Sequence, residues 1–138
     1  MSRKRNKKQT NNEGTIYRIA PEHVVKKRDL SKYNKVKGTK ATNPRPVMVA
    51  VQRKGKRVQI SEMTTKATQK QIDKKQRVKL DKTYPNKNSY VNTNTIGKSR
   101  KTGKNFKVGE PPLTRAQNKK VHSDDLDKFK KARKKRGR

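Results

Sequence analysis

The chain has no cysteine and no tryptophan, and its 138 residues include few aromatic or acidic ones. Without cysteine it can form neither disulfides nor thiolate zinc sites, and it has no thiol nucleophile. Hydrophobic residues make up 25% of the chain, against roughly 45–50% in an average globular protein. Most of the chain therefore cannot be packed core, and a folded part must be local.

Long apolar runs are also missing. The longest uncharged apolar run, Pro46 to Gln52, is far shorter than the roughly 20 residues that span a bilayer. The basic start, Met1 to Lys8, has no apolar stretch behind it and so does not fit a secretory signal. Together with the lack of cysteine, these absences argue against a membrane span and predict a cytoplasmic protein.

Positive charge is abundant: 42 Lys and Arg stand against 10 Asp and Glu, which gives a net charge of +32. Each of these cations that meets a phosphate releases a condensed counterion, so nucleic acid is the expected partner. An anionic membrane surface and an acidic partner protein are the alternatives that the charge leaves open.

The apolar and β-branched residues collect between Arg45 and Ile96, where the fold is predicted. Pro46 to Gln52 and Arg57 to Met63 are β-rich runs joined by a short turn with a glycine, which indicates a hairpin. The first run is apolar on both faces, as in a central strand. In the second, Val58 and Ile60 alternate with polar residues, so one face is directed inward.

The other segments are assigned from the same signals. Residues 1–14 are predicted to be a disordered arm, and 15–132 a single small domain with its core in 45–96. Thr15 to Ala20 and Arg77 to Asp81 are predicted strands, and Ser89 to Gly97 is a fourth strand or a strand pair. Residues 23–33 suit helix or strand, while 34–44, 64–76 and 98–115 are predicted to be loop or linker.

A helix is predicted over 123–134, followed by a basic tail at 135–138. Ser123 is the expected N-cap, with Asp124 and Asp125 in the first turn. Leu126, Phe129 and Ala132 form one apolar stripe. Asp124, Asp125 and Asp127 could also suggest a Mg²⁺ site, but at a helix start the favoured role is capping.

The order of these segments resembles the MazF/PemK family of toxin endoribonucleases. The matching pieces are Arg45-Pro46-Val47, Glu62 to Lys66, Arg77 to Asp81, Lys87 to Val91, Ile96 to Arg100 and Ser123 to Phe129, which together cover about residues 45–132. The resemblance implies a mostly β fold with minor α, namely a small SH3-like barrel with a C-terminal helix and basic extensions. It also implies a homodimer, an acidic antitoxin as partner, and cleavage of single-stranded RNA without a metal ion or other cofactor.

The family's catalytic pair falls here on Arg45 and Thr64. Attack of a ribose 2′-OH on the neighbouring phosphorus builds negative charge on nonbridging oxygens, which a guanidinium can stabilise with two hydrogen bonds. The Thr64 hydroxyl would hold the phosphate or the 2′-OH, and the products would be a 2′,3′-cyclic phosphate and a 5′-OH. Arg45 could instead bind phosphate without catalysis or have a structural role, and Thr64 could be a turn residue.

Ten further basic residues in and near the predicted strands are expected to contact nucleic acid. They are Arg53, Lys54, Lys56, Arg57, Lys66, Arg77, Lys79, Lys98, Arg100 and Lys101.

Other candidate residues are sparse. His23 and His122 are the only histidines, and both are expected at the surface; a general acid and base pair would require a fold that brings them together. Tyr90 is the one aromatic residue expected on a strand where a base could stack. Two noncatalytic alternatives stay open: a DNA- or RNA-binding protein of a mobile element, and a ribosome-associated or packaging protein.

Overall fold

Six strands form one antiparallel sheet in the computed structural model, which describes residues 12–25 and 44–136. The strands are β1 (Thr15–Ile19), β2 (Arg45–Gln52), β3 (Val58–Thr64), β4 (Arg77–Lys79), β5 (Tyr90–Asn92) and β6 (Ala116–Lys120). Their order across the sheet is β4-β5-β3-β2-β1-β6. The prediction of a mostly β fold with minor α is confirmed. The sheet is not closed into a barrel, because β4 and β6 lie at its two opposite edges.

The predicted hairpin is confirmed and forms the centre of the sheet. β2 and β3 pair through Val47 with Glu62 and Met48 with Ser61, and the register shifts between Val49 and Val51. The turn Lys54–Lys56 is a short 3₁₀ segment in which Gly55 has φ 65°. A side chain at that φ is disfavoured, so glycine suits the turn.

The apolar residues of the central strands are divided between the two faces of the sheet. Met48 and Ala50 belong to the core that also contains Phe129 of the C-terminal helix. Their neighbours Val47 and Val49 belong to the opposite core, with a cover that includes Phe106 and Leu113. Because β2 is buried on both faces, the prediction of a central strand is confirmed. This use of one strand in two cores lets a chain of low apolar content fold.

Two helices accompany the sheet. α1 (Gln69–Asp73) starts with a capping box between Thr68 and Gln71, and it lies in a segment predicted to be linker. That prediction missed α1 because none of its residues is buried, so no apolar periodicity marks it. α2 (Ser123–Arg136) begins at the same residue as the helix predicted at 123–134 and extends it by the first two residues of the predicted tail.

The start of α2 differs from the prediction in its capping residue. Ser123 lies inside the helix, and the residue before it, His122, caps the first turn. Its carbonyl oxygen accepts the N–H of Leu126 at 2.9 Å, and its Nδ1 accepts the N–H of Asp124 at 3.0 Å. An imidazole nitrogen here takes the place of the expected hydroxyl. The apolar stripe is confirmed, since Phe129 and Ala132 are buried and Leu126 packs against them.

Two further segments depart from the sequence predictions. Gly14, which the sequence assigns to a disordered arm, donates its N–H to Val49 O at 2.8 Å and accepts from Val121 N at 2.9 Å. The backbone of residues 12–14 is thus attached to the sheet, while residues 1–11 lie outside the described part. β6 was not predicted, because Ala116–Lys120 has no alternating apolar residues and is mostly exposed.

The start of the ambiguous segment 23–33 lies in the 3₁₀ turn Pro21–His23, and its residues from 26 onward lie outside the described part. The loop predicted at 34–44 is likewise outside it, apart from Pro44. Neither α1 nor α2 is long and apolar enough to cross a membrane.

Candidate functional site

The register of the central hairpin brings the two predicted catalytic residues to one place. Val47 is opposite Glu62, so continuing the pairing by two residues puts Arg45, the first residue of β2, opposite Thr64, the last residue of β3. Residues directly opposite each other share a face, with Cβ atoms about 4.5–5.5 Å apart in a regular pair. Arg45 and Thr64 are both half-buried.

Thr64 also takes part in a turn. Its Oγ1 accepts the backbone N–H of Lys66 at 3.2 Å, so the turn role that the sequence leaves open is present. A hydroxyl has one proton to donate and two lone pairs to accept. The bond from Lys66 uses one lone pair and leaves the hydroxyl proton for another acceptor.

A carboxylate lies next to this pair on the same face. Glu62 is half-buried, and its burial raises the pKa of its carboxyl group above the ordinary value, while the charges of Arg45, Arg77 and Arg100 act in the opposite direction. We refer to Glu62 with these three arginines as the Glu62 cluster. The three arginines come from β2, from β4 and from the loop after β5.

Strand pairing explains how Arg77 reaches the cluster. Glu62 is two residues from Thr64, which pairs with Tyr90, and Arg77 pairs with Asn92. Extending the β3–β5 register puts Glu62, Asn92 and Arg77 in one row across three strands. The Nε atom of Arg77 is buried and has no hydrogen-bond partner in the described part of the chain.

Arg100 is held by the turn that follows β1. Its backbone N–H donates to His23 O at 2.8 Å, and its Nε donates to Val24 O at 3.0 Å. These bonds fix the root of the guanidinium while leaving the rest of it exposed to solvent. The neighbouring Lys101 pairs with Glu22 at 3.1 Å, which ties the same loop and turn together.

His23 is half-buried, which differs from the predicted surface position. Its Nδ1 lies 2.7 Å from Ser99 Oγ, and that oxygen accepts the N–H groups of Lys101 and Thr102 at 3.1 and 3.2 Å. Since the serine oxygen already accepts two bonds, its own proton is directed to Nδ1 when the imidazole is neutral. Burial lowers the pKa of His23, and Lys101 acts in the same direction against Glu22. His23 is therefore neutral at neutral pH.

The ten predicted nucleic-acid contacts fall mainly into two groups. Arg77 and Arg100 belong to the Glu62 cluster, and the exposed Lys79 is two residues from Arg77 on the same strand. Lys66 is two residues after Thr64, and Lys101 directly follows Arg100. A second group lies around the hairpin turn, at the end of β2 opposite Arg45. The seven residue steps from Arg45 to Gln52 correspond to about 23 Å at a rise of about 3.3 Å per residue. The second group consists of Arg53, Lys54, Lys56 and Arg57, which are all exposed.

The second group borders a small open cleft. Arg53 and Arg57 line it together with Gln59 and Asn105, and Thr95 Oγ1 donates to Gln59 Oε1 at 3.0 Å. Lys98 is exposed and pairs with Asn105 through an isolated bridge. The cations of this group are not brought to Arg45 and Thr64.

Two residues that the sequence suggested for other roles have structural ones. Tyr90, considered for base stacking, is buried and does not offer an open ring face. Asp125 is buried and accepts bonds from Lys82 and Thr83. Among residues 12–25 and 44–136, no group of three or more His, Asp or Glu side chains is arranged to hold a metal ion.

Sequence reasoning gave Glu62 and Ser99 no functional role. A signal for Glu62 existed, because it follows Val58 and Ile60 in steps of two and so continues the inward face of β3. No comparable signal marks Ser99, whose contact with His23 spans 76 positions. In comparisons with known proteins, no protein-family model and no curated protein matched the chain.

Proposed function

We propose that the protein binds single-stranded RNA and cleaves it as an endoribonuclease of the MazF/PemK type, without a metal ion. The proposal is supported above all by the β2–β3 register: Val47 is opposite Glu62, and continuing that pairing by two residues puts Arg45 opposite Thr64 on one face of the sheet. The resemblance named these two residues from motifs 19 positions apart in the chain. The hairpin makes these two side chains neighbours, as joint action on one phosphate requires.

The chemistry of the two side chains suits transesterification at phosphorus. The 2′-OH attacks the phosphorus, the bond to the 5′ oxygen breaks, and negative charge accumulates on the nonbridging oxygens. The guanidinium of Arg45 can donate two hydrogen bonds to those oxygens. The Thr64 hydroxyl accepts the N–H of Lys66, and a hydroxyl that accepts in this way can also donate its proton to a phosphate oxygen.

The surrounding cations support RNA binding. Arg77, Lys79 and Arg100 lie at the same end of the sheet as Arg45, and a single strand of RNA carries one phosphate per nucleotide. Each phosphate neutralised contributes a slope of about −0.7 to the dependence of log K on log salt concentration for single strands. With Arg45 and these three cations each neutralising one phosphate, we expect a slope of about −3, and a salt-independent affinity would contradict the assigned interface.

The cleavage test uses the full-length protein and a mixed-sequence single-stranded RNA in excess EDTA, with analysis of the product ends. We expect cleavage that leaves a 2′,3′-cyclic phosphate and a 5′-OH. Arg45→Ala and Thr64→Ala should each lower kcat about 10²–10³-fold, the usual cost of one transition-state donor. The matched controls are Arg115→Ala, an exposed arginine just before β6, and Thr65→Ala, an exposed neighbour of Thr64.

The outcomes separate two functions. Intact RNA with the wild type, or equal loss in the control variants, would refute the nuclease. The second candidate, a noncatalytic DNA- or RNA-binding protein, is favoured by the cations around the hairpin turn, which lie far from Arg45. It predicts tight, salt-dependent binding without cleavage, and a loss of affinity in Arg53→Ala as large as in Arg45→Ala.

The proposal carries the other implications of the resemblance with it. They are a cytoplasmic location, an acidic antitoxin as partner, and a homodimer. Analytical ultracentrifugation of the protein alone, and with an acidic protein encoded beside it, would test the last two.

A further inference from the structure

One acidic side chain stands apart in the sheet. Glu62 is the only Asp or Glu in any of the six strands, and it is half-buried on a face where its neighbours along β3, Val58 and Ile60, are apolar. A buried charge is costly unless charged or hydrogen-bonding groups compensate for it. A carboxylate at this position therefore calls for an explanation.

The neighbourhood of Glu62 combines cations and the two residues of the proposed reaction. Arg45 is its diagonal neighbour across the β2–β3 pair, since Glu62 is opposite Val47. Diagonal residues have a separation of about 7–8 Å in a regular antiparallel pair. Thr64 is two residues further along the strand. Arg45, Glu62 and Thr64 are all half-buried, so each side chain is partly accessible to a ligand on this face of the sheet.

We propose that Glu62 is the proton acceptor in this RNA cleavage, an inference that rests on the proposed function. Its carboxylate takes the proton of the 2′-OH as the 2′ oxygen forms a bond to phosphorus and the bond from phosphorus to the 5′ oxygen breaks. A water molecule gives a proton to the departing 5′ oxygen, and the resulting hydroxide takes the proton back from Glu62. Arg45 and Thr64 stabilise the charge on the phosphate meanwhile.

The electrostatics of the site suit a base of this kind. Burial raises the pKa of Glu62, which makes its carboxylate a stronger base than an exposed one. The arginines of the Glu62 cluster act against that rise and favour the ionised, proton-accepting form near neutral pH. The titratable and charged groups that the strand pairing places on this face are Tyr17 of β1, Arg45 of β2, Arg77 and Lys79 of β4, and Tyr90 of β5. The adjoining loop adds Lys98, Arg100 and Lys101, and the turn against it adds Glu22 and His23.

The test compares wild type, Glu62→Gln and Glu62→Asp in single-turnover cleavage from pH 4 to 8. The control is Glu110→Gln, which changes the net charge equally at an exposed loop residue. In the wild type we expect kcat to rise with pH through the pKa of Glu62 and then level off. Glu62→Gln should lose this rise and about 10²–10⁴-fold in kcat, the usual contribution of a general base. Glu62→Asp should keep the rise at a lower rate.

A second readout separates proton transfer from structure. Affinity for a 2′-O-methyl RNA, which cannot be cleaved, should be unchanged or higher in Glu62→Gln, because the variant removes a negative charge beside the phosphate. Weaker binding in that variant, together with the kcat loss, would assign Glu62 a positioning role and overturn the proposal. If Glu62→Gln does not fold, the pH profiles of the wild type and of Glu62→Asp test the proposal instead. A rate that does not rise with pH in either protein would overturn the assignment of Glu62 as proton acceptor.

The same measurements distinguish a wrong assignment of Glu62 from a wrong proposed function. A wild type that leaves RNA intact refutes the nuclease as a whole. A wild type that cleaves while Glu62→Gln cleaves equally well refutes only the assignment of Glu62.

Discussion

The contact between Asp125 and the loop after β4 should be one of the main supports of the fold. Asp125 is 1% exposed, and its Oδ2 accepts the N–H of Thr83 at 2.6 Å, the Thr83 hydroxyl at 2.6 Å and the N–H of Lys82 at 3.1 Å. Thr83 Oγ1 in turn accepts the N–H of His122 at 2.9 Å. The network thus connects the start of α2 with a loop some 40 residues earlier in the chain.

Replacing Asp125 by alanine removes the acceptor and leaves its donors without a partner. A hydrogen bond to a charged group contributes about 1.5–3 kcal/mol, and a donor left unsatisfied costs about 1–3 kcal/mol. Because such losses are not additive, we expect a decrease of about 3–5 kcal/mol in the free energy of unfolding. That is a large share of the roughly 5–15 kcal/mol of a typical domain, and it should lower Tm by at least about 10 °C.

Urea unfolding followed by circular dichroism measures this loss directly. Asp124→Ala is the matched control, because it removes the same charge one residue earlier from a side chain that is 62% exposed. Its cost should be about 0.3–1 kcal/mol from the helix dipole. A cost below about 1 kcal/mol for Asp125→Ala, or equal costs for the two variants, would refute the role assigned to the network.

Two further predictions test the core and the pH dependence. Phe129→Ala should lower the free energy of unfolding by about 3–5 kcal/mol in urea, because it empties a fully buried position between α2 and the sheet. Equal stability of Phe129→Ala and the wild type would contradict that packing. Since the pKa of His23 is lowered from 6.5 by burial, the unfolded chain binds more protons just below pH 6.5, and stability should fall there as the pH falls. The urea midpoint should decrease from pH 7.5 to pH 5.5 in the wild type and decrease less in His23→Gln. An equal decrease in the two proteins would exclude His23 as the source of the pH dependence.

The centre of the fold could be predicted because apolar periodicity marks it. Val58 and Ile60 alternate with polar residues, and the run from Pro46 to Gln52 is apolar throughout, so strand type and burial both followed from the pattern. β6 and α1 carry no such pattern. β6 is held by backbone pairing with β1, and α1 starts with its own capping box. Both elements therefore depend on hydrogen bonds that the apolar pattern of the sequence does not predict.

The candidate site was predictable only in part, for a related reason. Arg45 and Thr64 were named from motifs, but their adjacency depends on the hairpin register. Arg77 and Arg100 were expected only as two of many cations. What distinguishes them is their position around Glu62, which requires β5 to lie between β3 and β4 and the loop after β5 to contact His23. Strand order is a long-range property that no local signal in the sequence records.

The other acidic residues show why Glu62 is the exceptional one. Several of them hold together elements far apart in the chain: Glu13 pairs with Lys130, Glu22 with Lys101 and Asp81 with Lys128. In a chain of net charge +32, each such acid also relieves repulsion where two basic segments meet. These pairs lie toward the surface, where an ion pair contributes up to about 1 kcal/mol.

Glu62 differs from these acids, because it lies inside the sheet rather than at its margin. Its burial is unfavourable to the charge that the surrounding arginines stabilise. A residue chosen only for stability at this inward position would be apolar, as Val58 and Ile60 are, because a buried ion pair is often no more stabilising than the apolar residues it replaces. Under the proposed function, the carboxylate is explained by its action on RNA bound at Arg45 and Thr64 rather than by a contribution to the stability of the fold.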